Sequence, residues 1–206
     1  MTIDFLLQCL KLMRPKQWIK SLFCLLPLFF SGSLYTVDLE LVIWVVLIMS
    51  LVSSCAYILN DLLNINEDRE HPNKKNRPLA SGKVSRIEGL VLLLIICLLA
   101  VFSIYCAGHV KQILLGVGIY CTIQIVYSGI VRSIAYLDVI LVSTGFLVRL
   151  YLGGIAVTSG VSLWLYCSVY FLALNLFIFK RMDEFVKLKD RSMLTRGVWS
   201  QSTYKN

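Results

Sequence analysis

YILNDLLNINEDREHPNKKNRPLASG, residues 57–82, lies between two stretches of nearly unbroken hydrocarbon side chains. It opens with helical spacing. Asp61, Asn64 and Asp68 recur after three and four residues, which at 100° per residue sets them on one stripe, with Asn60 close beside it. It then turns basic through Lys74, Lys75 and Arg77, flanked by Pro72 and Pro78, which stop helix propagation and stiffen the chain. Two readings fit. A membrane protein needs solvated loops, and acids that merely balance bases there have no further role. A diphosphate site needs acids for metal and bases for phosphate oxygens within a short reach, and this stretch holds both.

The spacing favours a definite arrangement. Asp61 and Asp68 are two turns apart, a rise of roughly 10 Å, too far for one Mg²⁺ to bond both at about 2.1 Å per ligand. Two ions, or hydrated ions, bridged by an anion the size of diphosphate would answer that spacing. Asp61, Asn64 and Asp68 are then the expected metal ligands, with Asn60 assisting. Lys74, Lys75 and Arg77 would face the phosphates, Arg as a planar fork and Lys as a point charge.

Outward from this island the chain is 58% hydrophobic and 16% charged, with a mean hydropathy of +0.76. That is the composition of an integral membrane protein. Charge-free runs of about 20 residues, enough for one crossing, occupy 41–60, 89–108 and 112–131. A shorter run covers 21–36, the span at 139–157 is interrupted only by Arg149, and the stretch 150–179 has to contain a reversal. The expectation is an all-α, polytopic transmembrane helical bundle of about six transmembrane helices, forming one domain over residues 1–206.

Charge sets the expected orientation. With the N-terminus in the cytoplasm, 18 of the 20 Lys and Arg fall inside, leaving Lys111 outside and Arg149 within a span. Both the N-terminus and residue 206 are thus expected on the cytoplasmic side, as is the active site. The net charge of +8 becomes a property of that face, suited to anionic headgroups or phosphorylated substrates, and nucleic acid is not expected as a partner. The first 18 residues lack the pattern of a cleavable signal and read as a short interfacial helix, with Trp18 and Lys20 at headgroup depth. Seven cysteines without CxxC spacing, mostly in apolar spans, read as reduced packing residues.

The stretch NDLLNINEDREHPNKKNRPLASG resembles the first motif of the UbiA superfamily of intramembrane prenyltransferases, NDxxDxxxD followed by a basic, Pro-containing loop. RPKQWIK at 14–20, DREHPNKKNRPLASG, YSGIVRSIAYLDVILVSTGFLVRLYLGGIA at 127–156 and FKRMDEF at 179–185 resemble its decaprenyl-phosphate phosphoribosyltransferase branch, in order and over most of the chain. The resemblance implies a helical bundle around a cavity open to the cytoplasm and laterally to lipid. It implies Mg²⁺, phosphoribosyl diphosphate as donor, a polyprenyl phosphate as acceptor, and diphosphate as the leaving group. Aromatic prenyltransferases of the superfamily carry a second acid cluster after the fourth helix. The matching stretch here has only Asp138, which favours the phosphoribosyl branch.

Two departures stand out. The third motif position, ordinarily Asp, is Asn64, which keeps an oxygen donor and loses the charge. The family also carries about three further helices, so the sequence reads as C-terminally truncated.

Other polar residues fit the same reading. Asp138 and Arg149 are eleven residues apart, within about 20° on a helix, and are expected to share a cavity wall. There Arg149 would hold an acceptor phosphate and Asp138 a ribose hydroxyl or metal. A structural polar pair is the alternative. Arg14, Lys16 and Lys20 would bind donor phosphates or a headgroup, Lys16 and Lys20 sharing a face at i, i+4. Tyr127 and Arg132 would contact the donor, and the Gly153–Gly154 pair permits close helix packing. The expected catalytic set is Asp61, Asp68, Lys74, Arg77 and Arg132. The alternatives are an aromatic prenyltransferase and an inactive truncated paralogue or assembly partner.

Overall fold

The computed structural model describes residues 3–30, 37–72, 74–129, 135–157 and 160–187; within these, the side chains of 128–129, 135–136, 138, 181 and 183–187 are not described. The described segments form an amphipathic entry helix, α1 (Ile3–Met13), then a 3₁₀ segment (Pro15–Leu25) running into α2 (Leu26–Phe30). They continue as α3 (Leu39–Leu63), α4 (Ile65–Glu70), α5 (Arg86–Cys106), α6 (Val110–Gly129), α7 (Ala135–Gly154) and α8 (Leu163–Lys187). Among the described residues the only β pairing is an isolated antiparallel bridge between Val37 and Val157.

Local signals place these boundaries. Asp38 caps α3 by accepting the Leu41 amide at 3.0 Å, which satisfies one of the four orphan donors of the first turn. At α5, Ser85 Oγ accepts the Glu88 amide at 3.2 Å while Glu88 Oε2 accepts the Ser85 amide at 2.8 Å, a reciprocal capping box.

Four of the six expected crossings meet both length and composition on their own: Leu39–Leu63, Arg86–Cys106, Val110–Tyr127 and Leu163–Lys180. The apolar part of α7, Val139–Gly154, is shorter. The 3₁₀–α2 run compensates for its brevity by stretching. At about 2.0 Å per residue the 3₁₀ segment rises roughly 22 Å and α2 adds roughly 8 Å at 1.5 Å per residue. Together they rise roughly 30 Å, more than an all-α run of the same residues would.

The 3₁₀ geometry corrects one expectation. At three residues per turn, positions i and i+4 lie about 120° apart, so Lys16 and Lys20 do not share a face. Lys16 is exposed and Lys20 is half-buried. The indole Nε1 of Trp18 donates to Ser54 Oγ at 2.9 Å, pinning the 3₁₀ segment to α3.

Helices α3 and α7 form the centre. α3 packs on α5, α1 and the 3₁₀ segment, while α7 packs on α6, α8, α2 and the 3₁₀ segment. Buried Val45, Ile48, Met49, Val52 and Ile58 from α3 lie in the main core cluster with Ile96, Ile113 and Leu152. The outward faces of α5, α6 and α8 carry Leu94, Leu98, Phe102, Leu115, Leu172 and Leu176 exposed, the surface a helix presents to lipid. Close approach of α7 depends on Gly153, where an added Cβ would collide with the Cys24 carbonyl oxygen, the close packing expected of the Gly–Gly pair. Away from the acid cluster, the amide of Asp38 donates to the Ala156 carbonyl at 3.1 Å and ties the start of α3 to the end of α7.

Candidate functional site

Near its C-terminus α3 carries Asp61. Asn64, with φ −109°, then interrupts the helix before α4 resumes it with Asp68. Both carboxylates face inward, each residue 2% exposed. The loop after α4 folds back over them through consecutive turns: Arg77 N donates to Lys74 O at 2.9 Å, Ser81 N to Arg77 O at 2.8 Å, and Val84 N to Pro78 O at 3.1 Å. Buried Pro78, Leu79, Ala80 and Val84 anchor this loop from below, and Arg69 Nε clamps it by donating to Ala80 O at 3.2 Å.

The fold-back delivers Arg77 between the two acids. Its NH1 donates to Asp61 Oδ1 at 3.0 Å and to Asp68 Oδ2 at 2.6 Å. Lys74 Nζ lies 3.8 Å from Asp68 Oδ1. On the other side Arg14 NH2 donates to Asp61 Oδ1 at 2.6 Å, and its guanidinium stacks over the Tyr57 ring at 4.9 Å. Arg14 reaches that position from a left-handed backbone, φ 55°, at the break between α1 and the 3₁₀ segment. Such a conformation costs a non-glycine residue on the order of 1–3 kcal/mol and persists where surroundings over-determine it. Here the ion pair and the stack do so.

This geometry corrects the sequence-based distance. Because one nitrogen touches both carboxylates, their nearest oxygens are separated by no more than those two short contacts laid end to end, well below the two-turn rise. The helix break at Asn64 and the inward lean of both side chains close the gap. One cationic group, the Arg77 guanidinium, therefore reaches both acids at once.

Asn64 has a structural reason to be an amide. Its Nδ2 donates to the Asn60 carbonyl at 2.7 Å and approaches Asn60 Oδ1 at 3.2 Å, a second bond on a carbonyl that also accepts the Asn64 backbone amide at 3.2 Å. A carboxylate has no proton to give there.

The donor set fits Mg²⁺: two buried carboxylates converging on one point, with two carboxamides at the helix break. Among the described residues no group of three His, Cys, Asp or Glu forms a closed cage. An ion held by this pair would fill its shell with phosphate oxygens and water, the ordinary habit of Mg²⁺.

A second polar cluster sits deeper. Arg149 on α7 is 4% exposed. Its NH1 donates to Gly145 O at 2.8 Å, and its NH2 to Ser53 Oγ at 3.1 Å and Tyr120 Oη at 3.3 Å. Tyr120 Oη also accepts from Gln124 Nε2 at 2.6 Å. The guanidinium stacks over Tyr120 at 4.9 Å and Phe146 at 5.6 Å. A charge at mid-bilayer costs at least about 2.5–3.5 kcal/mol, so it faces protein or a wet cavity. It does: Arg149, Lys20, Tyr57, Tyr120, Gln124 and Tyr127 line one cavity.

The expected site residues thus sort into two groups. Asp61, Asp68, Lys74 and Arg77 come together, with Asn60 and Asn64 at the adjoining helix end; Lys20, Tyr127 and Arg149 meet around the deeper cavity. Lys16 lines neither. Arg132 lies outside the described residues, and Asp138 belongs to α7 with its side chain not described. Sequence reasoning considered Arg14 without placing it on Asp61, and it missed Ser53, Tyr120 and Gln124. A serine and a tyrosine within apolar spans carry no periodic signal that separates them from ordinary packing.

Fold and site together define a polytopic helical membrane protein with a buried acid pair under a basic loop at one end of its bundle. Residues 21–195 match the model of the UbiA prenyltransferase family, and the chain belongs to that family. It is 32% identical over 189 residues to a decaprenyl-phosphate phosphoribosyltransferase of Mycolicibacterium smegmatis, covering 89% of this chain and 58% of that protein. It is 29% identical over 180 residues to the protein of that name from Corynebacterium glutamicum, covering 85% and 54%. A UbiA homologue from Archaeoglobus fulgidus, solved bound to DMAPP and Mg²⁺, shares the fold with a TM-score of 0.70 at 20% identity, over 93% of this chain and 66% of that one. The chain spans little more than half the length of those two curated relatives.

Proposed function

We propose that this chain carries the active site of a Mg²⁺-dependent transferase acting at the cytoplasmic face of a bacterial inner membrane. It would move the 5-phosphoribosyl group of phosphoribosyl diphosphate onto a polyprenyl phosphate and release diphosphate. The observation that carries the reading is the Arg77 guanidinium held between buried Asp61 and Asp68, a cation and two acids preset where a metal and a diphosphate interlock. The names of the curated relatives and the lone Asp138 support the choice of donor and acceptor.

In this mechanism Asp61 and Asp68, helped by Asn60 and Asn64, would hold Mg²⁺ for the donor diphosphate. Bound there, the ion supplies charge neutralisation to the leaving group. Arg77 exchanges its carboxylate partners for phosphate oxygens, joined by Lys74 and Arg132. The bond from ribose C1 to the diphosphate oxygen breaks with its electron pair leaving on diphosphate. An oxygen of the lipid phosphate then forms the new bond to the oxocarbenium-like C1. A phosphate monoester is already nucleophilic at neutral pH, so the residues position and stabilise, and no general base is needed. Lys20, Tyr127 and Arg149 contact substrate from the deeper cavity, with Asp138 placed to meet a ribose hydroxyl and Lys16 left to the membrane surface.

The test incubates membranes containing this chain with polyprenyl phosphate, phosphoribosyl diphosphate and Mg²⁺, and looks for phosphoribosylated lipid by mass spectrometry. A parallel tube holds a prenyl diphosphate and an aromatic acceptor. Product in the first tube, abolished by EDTA and by Asp61→Ala, is the expected result. Product only in the second tube would make the chain an aromatic prenyltransferase. Silence in both from folded protein would favour an assembly partner or inactive paralogue.

A further inference from the structure

We propose that the cavity beneath Arg149 is a second anion site, built for a phosphate monoester and separate from the acid pair. Its lining sets two cations, Lys20 and Arg149, among the hydroxyl groups of Tyr57, Tyr120 and Tyr127 and the amide of Gln124, with no carboxylate among the described side chains. Every hydrogen-bond partner of Arg149 among the described residues is neutral: a backbone carbonyl and two hydroxyls. Among the described residues it forms no ion pair, and its Nε–H, though buried, has no acceptor. A buried guanidinium left with neutral partners and one unspent donor is the complement of an anion.

The site is distinct from the diphosphate site by distance. Arg149 bonds Ser53, which precedes Asp61 by eight residues on α3, a rise of roughly 12 Å. No single diphosphate covers that span. The two sites are nevertheless neighbours, since Tyr57 lines the cavity and carries on its ring the Arg14 that pairs with Asp61. The remaining wall is apolar, from Ile123, Leu141, Val142 and Phe146, so a phosphate bound at Arg149 would sit beside hydrocarbon.

This inference deepens the proposed function and rests on it only for the natural source of the phosphate. Two sources share the chemistry: the acceptor lipid phosphate and the 5-phosphate of the donor sugar. Equilibrium binding to the purified full chain in nanodiscs, with EDTA present, separates them by using farnesyl phosphate in one arm and ribose 5-phosphate in the other. The variants are Arg149→Met, Arg149→Lys, Lys20→Met and, as a diphosphate-site control, Asp61→Asn.

Farnesyl phosphate is expected to bind without metal, at least about tenfold more weakly to Arg149→Met and severalfold more weakly to Lys20→Met, as loss of a charge-assisted contact implies. Asp61→Asn should stay within about threefold of wild type, and Arg149→Lys should bind between wild type and Arg149→Met, because a point charge replaces the planar fork. The same pattern for ribose 5-phosphate alone would keep the site and assign it to the donor. If neither probe binds wild type, or if binding ignores both cation removals, the proposal is overturned. Should Arg149→Met fail to fold, unchanged binding by Lys20→Met is enough to overturn it. Because no turnover is required, a chain that binds these probes yet transfers no phosphoribosyl group would sink the proposed function and leave this site standing.

Discussion

Asp61 is buried between two guanidinium groups, from Arg14 and Arg77, and Asp68 shares the second of them. Such clusters punish the loss of one partner more than they reward its presence, because the remaining charge stays out of water. Arg77→Met should therefore lower stability by about 3 kcal/mol, the low end for a broken buried pair because Arg14 and Lys74 remain. Thermal unfolding in detergent checks this, and added Mg²⁺ should recover part of the loss. Asn64→Asp poses the opposite trade. It removes the amide donor from the Asn60 carbonyl and should cost about 1–2 kcal/mol, while its added charge should lower the Mg²⁺ concentration giving half-maximal turnover. The acids, Lys74 and Arg77 were legible because they cluster within one short stretch at helical spacing. The reach of Arg14 was not, since it depends on a left-handed backbone at one residue and a partner 47 positions away.

At the scale of elements, the 3₁₀ segment and α7 position the deeper polar cluster. The 3₁₀ segment carries Lys20 to the deeper cavity and is locked to α3 by the Trp18–Ser54 bond; α7 carries Arg149 and leans on that same segment through Gly153. Gly153→Ala drives a methyl into the Cys24 backbone and should cost at least about 1–3 kcal/mol, as overpacking does, with loss of folded yield on size-exclusion chromatography. Gly118→Ala on α6 meets nothing within 4 Å and should be neutral or stabilising by up to about 1 kcal/mol. The all-helical class and the close-packing glycines follow from hydropathy and small-residue patterns. The 3₁₀ conformation does not, because Pro15 and Pro27 mark a helix start and a lost donor without stating which ladder lies between them. That gap explains why Lys16 and Lys20 were placed together and are found apart.

At the scale of the whole molecule, every described part of the acid cluster lies at one end of the bundle, with the Asp38–Ala156 tie at the other. The charge bias predicts which end faces the cytoplasm. An epitope inserted at Gly108, between α5 and α6, should be reached by antibody in spheroplasts with intact membranes, and one inserted at Lys75 only after permeabilisation; the reverse labelling would invert the topology. Fold class was legible because lipid demands long apolar helices and little else. The side-by-side placement of two basic sites was not, since it arises where α3, α6 and α7 meet. The measurement that tests the central claim most directly is calorimetric titration of the purified chain with phosphoribosyl diphosphate. Binding is expected only with Mg²⁺ present, and should be lost in both Asp61→Asn and Asp68→Asn. Binding of equal strength in EDTA, or unchanged by either substitution, would contradict the assignment of the acid pair as the metal–diphosphate site.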